Sequence, residues 1–312
     1  MKYKAAITIV RQWTGAVSIL KRVGRQACFG WVLAVMIVLP SQAAGAQSQP
    51  AFKAESFSSQ LKADTRELAM RFAHDQVRIF ESPVRDVVQK PANVRFLVPF
   101  AIAGTLIPAD RHIEPTPSTG TVNAARQISN VGLIGTAASV GGLYIYGLKK
   151  HDEHAHEAGF LGTESFADSF VIKELVNVIS GRLRPEEGNG HGDFFVNHSL
   201  NSSFPSGHAM LTWSMATVLA GEYPSKKNRI FWYAVGSTVA ATRVVGRKHF
   251  TSDVIVGSAA GYLIGRYVFR AHHHVTDSNG FGWSPSKCAV RPGPEGVGPA
   301  AHRSCKKVWI VE

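Results

Sequence analysis

The chain predicts an all-α helical bundle. Apolar segments of helical length recur from Phe96 to Phe269, and polar stretches rich in Gly, Asn and Pro separate them. No stretch carries a period-2 apolar alternation bounded by turns, the pattern a half-buried strand would need. A hydrophobic content of 45% supports a substantial core and excludes a disordered chain.

Residues 1–46 read as an export signal. Lys2, Lys4, Arg11, Lys21, Arg22 and Arg25 precede an apolar run from Ala27 to Pro40, and Ala44-Gly45-Ala46 offers a cleavage site. An uncleaved anchor is the alternative. These six basic residues, with no acid among them, hold half of the net charge of +12. The remaining basic bias is mild and suits an anionic substrate or membrane face. No basic stripe interleaved with aromatics is present, so nucleic acid is not an expected partner. Cys28 falls inside the signal, which leaves Cys288 and Cys305. In an oxidising compartment they suggest one disulfide, with two free thiols as the alternative.

Residues 47–95 form an N-terminal extension with an amphipathic helix over 64–80. Asp64 stands at its N-cap, and Leu61, Leu68, Phe72 and Ile79 share a face. Pro83 and Pro91 break up the remainder of the extension. The core, residues 96–270, opens with Phe96–Ile107. Val131–Leu148 comes next, 18 residues without a charge. That run is long enough to span a bilayer, and it equally fits a central bundle helix. Ser165–Gly181, His208–Glu222, Arg229–Val245 and Ser252–Phe269 complete the helices, with a polar loop Pro185–Phe204 after the first. Residues 271–312 read as an irregular tail.

Three constellations carry chemistry. In Phe204-Pro205-Ser206-Gly207-His208, a tight turn leads into a helix whose first backbone N–H groups point outward, which suits phosphate. Ser206 adds a hydroxyl, and His208 at the rim is placed to protonate a leaving oxygen. In the second, His249 and Asp253 are spaced i, i+4, so Asp253 can accept from one ring nitrogen and leave the other to attack. Arg243 adds a planar fork that matches phosphate oxygens. In the third, Arg184-Pro185 supplies a second fork, while Arg182 points elsewhere, toward solvent or an acidic partner. The set neutralises phosphate charge and offers a nucleophile without a carboxylate cluster for a metal.

These motifs resemble those of the type-2 phosphatidic acid phosphatase and vanadium haloperoxidase superfamily, Lys-x6-Arg-Pro, Pro-Ser-Gly-His and Ser-Arg-x5-His-x3-Asp. Pro205–His208 matches fully, and Thr242-Arg243-x5-His249-x3-Asp253 has Thr for Ser. Arg184-Pro185 matches, but Asn177 stands at the Lys position. The motifs span Asn177–Asp253, and with flanking helices the resemblance covers Phe96 to Phe269. It implies a bundle of the acid phosphatase and haloperoxidase type. His249 would be the nucleophile or vanadate ligand, Asp253 its partner and His208 the general acid. Arg184, Arg243, Ser206 and Gly207 would bind phosphate. Asn177 offers only a neutral hydrogen bond there, and Lys173, one turn earlier, or Lys248 can restore the charge.

The expected function is a metal-independent phosphoric monoester hydrolase acting on a lipid phosphate or small phosphomonoester. The expected location is periplasmic or secreted, with apolar helices suited to membrane association. No cofactor is expected, unless the alternative of a vanadate-dependent haloperoxidase holds. A non-catalytic relative is the third reading. His151, His154 and His156 sit at a solvated, polar helix start and receive no metal role. His272–His274 receives none either, and Asp110-Arg111-His112 is charged enough to be exposed.

Overall fold

The computed structural model describes residues 57–89 and 96–273, and among these every regular element is helical. The elements are α1 (Phe57–Gln89), α2 (Val98–Leu106), a 3-10 turn (Ile107–Ala109), α3 (Asp110–Ile113), α4 (Thr119–Lys150), α5 (Glu153–Ser180), α6 (Gly207–Glu222), α7 (Lys226–Val245) and α8 (Thr251–His272). The expected signal, both mature cysteines and all but the first residues of the expected tail lie outside the described residues.

Capping explains why the helices begin earlier than apolar periodicity alone predicts. Ser118 accepts from the Thr121 amide, Asp152 from Ala155 and Ser225 from Asn228, which fix the starts of α4, α5 and α7. The first helix differs from expectation more. It begins at Phe57, so Asp64 is interior rather than a cap, and it runs past Pro83 to Gln89. The Asp64 carboxylate instead accepts from Tyr144 Oη and pairs with His156 Nε2, each at 2.8 Å, which ties α1 to α4 and α5. Leu68 and Ile79 pack on the core, whereas Leu61 is exposed.

His154 is exposed as expected, whereas His156 is only partly exposed, and both make specific contacts. His154 Nε2 lies 3.0 Å from the Glu222 carbonyl and its ring packs on Tyr223, while His156 serves Asp64.

α6 is the axis of the bundle. Ala209, Met210, Met215, Ala216, Val218, Leu219 and Ala220 are buried along it, against apolar side chains of α4, α5, α7 and α8. Glycines set how closely α8 approaches. A Cβ on Gly257 would fall 2.6 Å from the Ser206 carbonyl oxygen, and one on Gly261 2.2 Å from that of Met210. Such spacing is repulsive, so only a residue without Cβ lets α8 lie against the start of α6. The Ser206 amide then donates to the Asp253 carbonyl at 3.0 Å. The fold thereby brings the Pro-Ser-Gly-His turn and the His-x3-Asp segment to one end of the bundle.

Candidate active site

The site is assembled from the loop after α5, the start of α6, the turn joining α7 to α8, and two positions on α4. Gly181 caps α5 with φ of +53°, a conformation costly for a residue with a Cβ, and turns the chain into the segment carrying Arg182 and Arg184.

His249 is buried, and its Nδ1 lies 2.7 Å from the Ser203 carbonyl oxygen. A carbonyl can only accept, so Nδ1 carries the proton and Nε2 holds the lone pair. Direct pairing of His249 with Asp253 was the expectation, and the structure corrects it. Asp253 stands 3.8 Å from Nδ1 and is committed elsewhere. Its Oδ1 accepts from Arg182 at 2.5 Å, and its Oδ2 accepts from the Ser203 hydroxyl at 2.5 Å and the Phe250 amide at 2.9 Å. Asp253 therefore reaches His249 through Ser203.

His208 opens α6 behind its N-cap, Ser206. Its Nε2 lies 2.9 Å from Asn130 Oδ1 on α4, so that nitrogen donates and Nδ1 is left to handle a proton. Both histidines are held well below the ordinary imidazole value. Burial is the main cause, and Arg243 and Arg184 oppose a further positive charge at each, joined at His208 by Lys173.

Arg243 is buried, and its Nη1 reaches Ser129 Oγ on α4 at 3.4 Å. Its Nε has no hydrogen-bond partner among the described residues. Burial, with Arg184 and Arg126 nearby, pushes its pKa down to about 9. Arg184 is fixed by the Asn201 carbonyl and side-chain oxygen and by the Lys248 carbonyl, at 3.0–3.1 Å, and burial lowers its pKa too. The Ser206 hydroxyl is fully buried, makes no capping bond and has no partner among the described residues. Crowded cations beside unpaired buried donors suit an anion, which would satisfy both at once.

The first motif behaves differently from expectation at Asn177. Its Nδ2 donates to the carbonyls of Leu200 and Ser202, at 3.2 and 3.1 Å. It braces the loop leading to Ser203, and its donors are not turned to a phosphate. Lys173 does line the cradle: a Cβ on Gly207 would meet its Cε at 2.9 Å. Its ammonium rests on Glu174 and the Leu200 carbonyl, at 2.8 and 3.2 Å, and burial lowers its pKa. Lys248 pairs instead with Glu186, which also accepts from Arg126 at 2.7 Å.

One further expectation is overturned: Asp110, expected to be exposed, is 1% exposed and pairs at 2.8 Å with Arg182, for which an acidic partner rather than solvent is the outcome. The Arg182 guanidinium lies over the rings of Phe194 and Phe250, with centroids at 4.7 and 4.3 Å. Sequence reasoning also passed over Ser129, Asn130 and Ser203. Ser129 and Asn130 precede an apolar run without a motif, and Ser203 acts through its backbone and hydroxyl, so no local signal singled them out.

The chain is similar to known proteins over part of its length. The PAP2 superfamily profile matches residues 161–277. A lipid A 1-phosphatase of Porphyromonas gingivalis is 37% identical over 90 residues, covering 27% of this chain and 17% of that protein. One from Rhizobium johnstonii is 33% identical over 97 residues, covering 30% and 39%. A PA-phosphatase related-family protein of Dictyostelium discoideum is 28% identical over 145 residues, covering 41% and 52%. The chain thus spans about half or less of each of these relatives. Among solved structures, a transmembrane PAP2 type phosphatidylglycerolphosphate phosphatase from Bacillus subtilis aligns at 19% identity and a TM-score of 0.39, over 63% of this chain and 94% of that one. Residues 161–277 match the PAP2 superfamily model, and the match contains all of Arg184, Ser206, His208, Arg243, His249 and Asp253.

Proposed function

We propose that the chain is a phosphoric monoester hydrolase that acts on a lipid phosphate or a small phosphomonoester through a phosphohistidine on His249, without a metal. One observation carries this reading. A neutral His249 offers Nε2 near buried Arg243 and half-buried Arg184, while Arg243 Nε and Ser206 Oγ stand unpaired among the described residues. Phosphate would supply acceptors for both, and the arginines, Lys173 and the Gly207 and His208 amides would neutralise its oxygens. The two guanidinium groups provide the charge compensation that phosphoryl transfer requires.

In the proposed reaction, Nε2 attacks phosphorus and the P–O bond to the leaving group breaks. His208 gives that oxygen its proton. Water, losing a proton to His208, then attacks phosphorus, and inorganic phosphate leaves as the P–N bond breaks. A bound phosphate dianion offsets the cations that depress His208, so substrate binding promotes the proton uptake that the first step needs.

A lipid substrate is favoured by the names of the relatives and by apolar surface near the site. Phe170, Val171, Leu175, Val178 and Ile179 of α5 are exposed, as are Phe195 and Val196 in the loop after it. α4 is long and apolar enough to cross a membrane, and a third of its most apolar window is buried. A mature chain starting after Ala46, working outside the cytoplasm at a membrane, fits these features. The test is hydrolysis of p-nitrophenyl phosphate and phosphatidic acid in EDTA. Turnover by the native chain and none by His249→Ala supports the reading, whereas equal turnover by both removes His249 from the chemistry.

A further inference from the structure

We infer that Asp110 and Arg182 are positioning residues for the His249 nucleophile, acting through Asp253 and Ser203. This rests on the role proposed above for His249, and it extends the site to a residue outside the matched region 161–277.

The contacts form one continuous buried path. Asp110 Oδ2 accepts from Arg182 Nη2 at 2.8 Å and from the Ser252 hydroxyl at 2.5 Å. Its Oδ1 accepts from the Ser252 amide at 3.2 Å, so Asp110 caps α8 from another part of the chain. Arg182 Nη1 donates to Ser252 Oγ at 2.8 Å and to Asp253 Oδ1 at 2.5 Å, and its Nε donates to the Gly192 carbonyl at 3.1 Å. Asp253 then takes the Ser203 hydroxyl on its other oxygen, and the Ser203 carbonyl takes the His249 Nδ1 proton.

Every side chain on this path, Asp110, Arg182, Ser252, Asp253 and Ser203, is at most 1% exposed. Water therefore cannot replace a lost partner without rearrangement. Geometry also limits what each group can do. The two phenyl rings restrict the guanidinium plane, and its three nitrogens are engaged by four different acceptors. Without the Asp110 carboxylate, the Nη2 edge is no longer held, and the guanidinium can tilt away from Asp253. Asp253 would then be free to move from Ser203, and with it the carbonyl that sets the His249 tautomer. A ring with its proton on Nε2 has no lone pair to attack phosphorus.

Outer partners that orient metal-bound histidines change affinity or activity by about 10- to 100-fold when removed, and a comparable factor is expected for this metal-free path. Asp110→Asn keeps the size of the side chain and removes its charge. With p-nitrophenyl phosphate, kcat should fall by about that factor while KM changes by less than about threefold, because no phosphate-binding group is touched. The imidazole ¹⁵N spectrum of His249 in the folded protein should lose its single Nδ1–H form and become a tautomer mixture. Ser252→Ala, which removes one link and no charge, serves if Asp110→Asn does not fold, and should move the same two readouts less. Arg182→Lys, which keeps the charge but can reach only one carboxylate, should restore little.

A folded Asp110→Asn protein with native kcat and an unchanged His249 spectrum overturns the inference. So does a loss seen only in KM. If the native chain hydrolyses no phosphomonoester, the phosphatase reading fails, and the ¹⁵N spectra still decide whether Asp110 governs the tautomer.

Discussion

Ser206→Ala should have opposite effects on stability and on phosphate binding. The Ser206 hydroxyl is fully buried, makes no cap bond to α6 and has no partner among the described residues. A buried hydroxyl without a partner costs about 1–3 kcal/mol, so its removal relieves the fold rather than harming it. Loss of one oxygen's packing offsets part of this, and the expected net effect lies between zero and about +1 kcal/mol. In a domain of roughly 150–250 residues that raises Tm by up to about 2–4 °C. Alanine at an N-cap usually costs stability, but the hydroxyl here makes no capping bond to lose. With phosphate bound, the same hydroxyl donates to an anion, an interaction worth about 1.5–3 kcal/mol. Inhibition by inorganic phosphate or vanadate should therefore weaken by ~10- to 100-fold. The assays are calorimetry without ligand and competitive inhibition of p-nitrophenyl phosphate hydrolysis. A variant destabilised by more than about 1 kcal/mol, or one whose phosphate affinity stays within about twofold of native, refutes the reasoning.

Other perturbations test separate parts of the account. Gly257→Ala places a methyl 2.6 Å from the Ser206 carbonyl, so it should cost about 1–3 kcal/mol and lower kcat by moving Asp253 from the cradle, measured by urea melts and kinetics. Asn177→Lys restores the residue of the family motif, but Asn177 faces the Leu200 and Ser202 carbonyls; we expect lower stability and no improvement in KM. His208 and His249 both have folded pKa values depressed below 6.5, so the unfolded chain binds protons first as pH falls. Their contribution to stability is complete above pH 6.5 and is lost progressively below it. Burial raises Asp253 to about 6, so its own contribution runs the other way, falling as pH rises from 3.8 to about 6. A melting series from about pH 8 to 5 should show Tm falling on the acid side, and His208→Asn should flatten that fall.

The helices from α4 to α8 were legible because their apolar segments are a local signal, whereas the starts of α4, α5 and α7 were missed because their caps, Ser118, Asp152 and Ser225, lie in polar stretches ahead of the apolar runs. The proposed cradle and nucleophile could be named from sequence because each sits within a short motif whose residue types fit one chemistry. What stayed hidden was the wiring between segments. Asp110 and Arg182 are 72 positions apart; charge suggested solvent for Asp110 and left Arg182 between solvent and an unnamed acidic partner, and only the fold turns them into a buried pair. The i, i+4 spacing of His249 and Asp253 suggested a direct bond, but Ser203, on the loop braced by Asn177, takes the His249 proton on its carbonyl and gives its hydroxyl to Asp253. Asp64 looked like a cap because a Ser or Asp before an apolar run is a start signal, yet its partners Tyr144 and His156 lie far along the chain.

The central claim is that His249 carries the phosphoryl group. Rapid acid-free quenching of the native chain with ³²P-labelled phosphomonoester, then peptide mapping, tests it most directly. The account predicts an alkali-stable, acid-labile label on the peptide containing His249, absent in His249→Ala and accumulating in a variant slowed at the second step. Steady turnover with no such label on any time scale, or a label mapped to another residue, contradicts it.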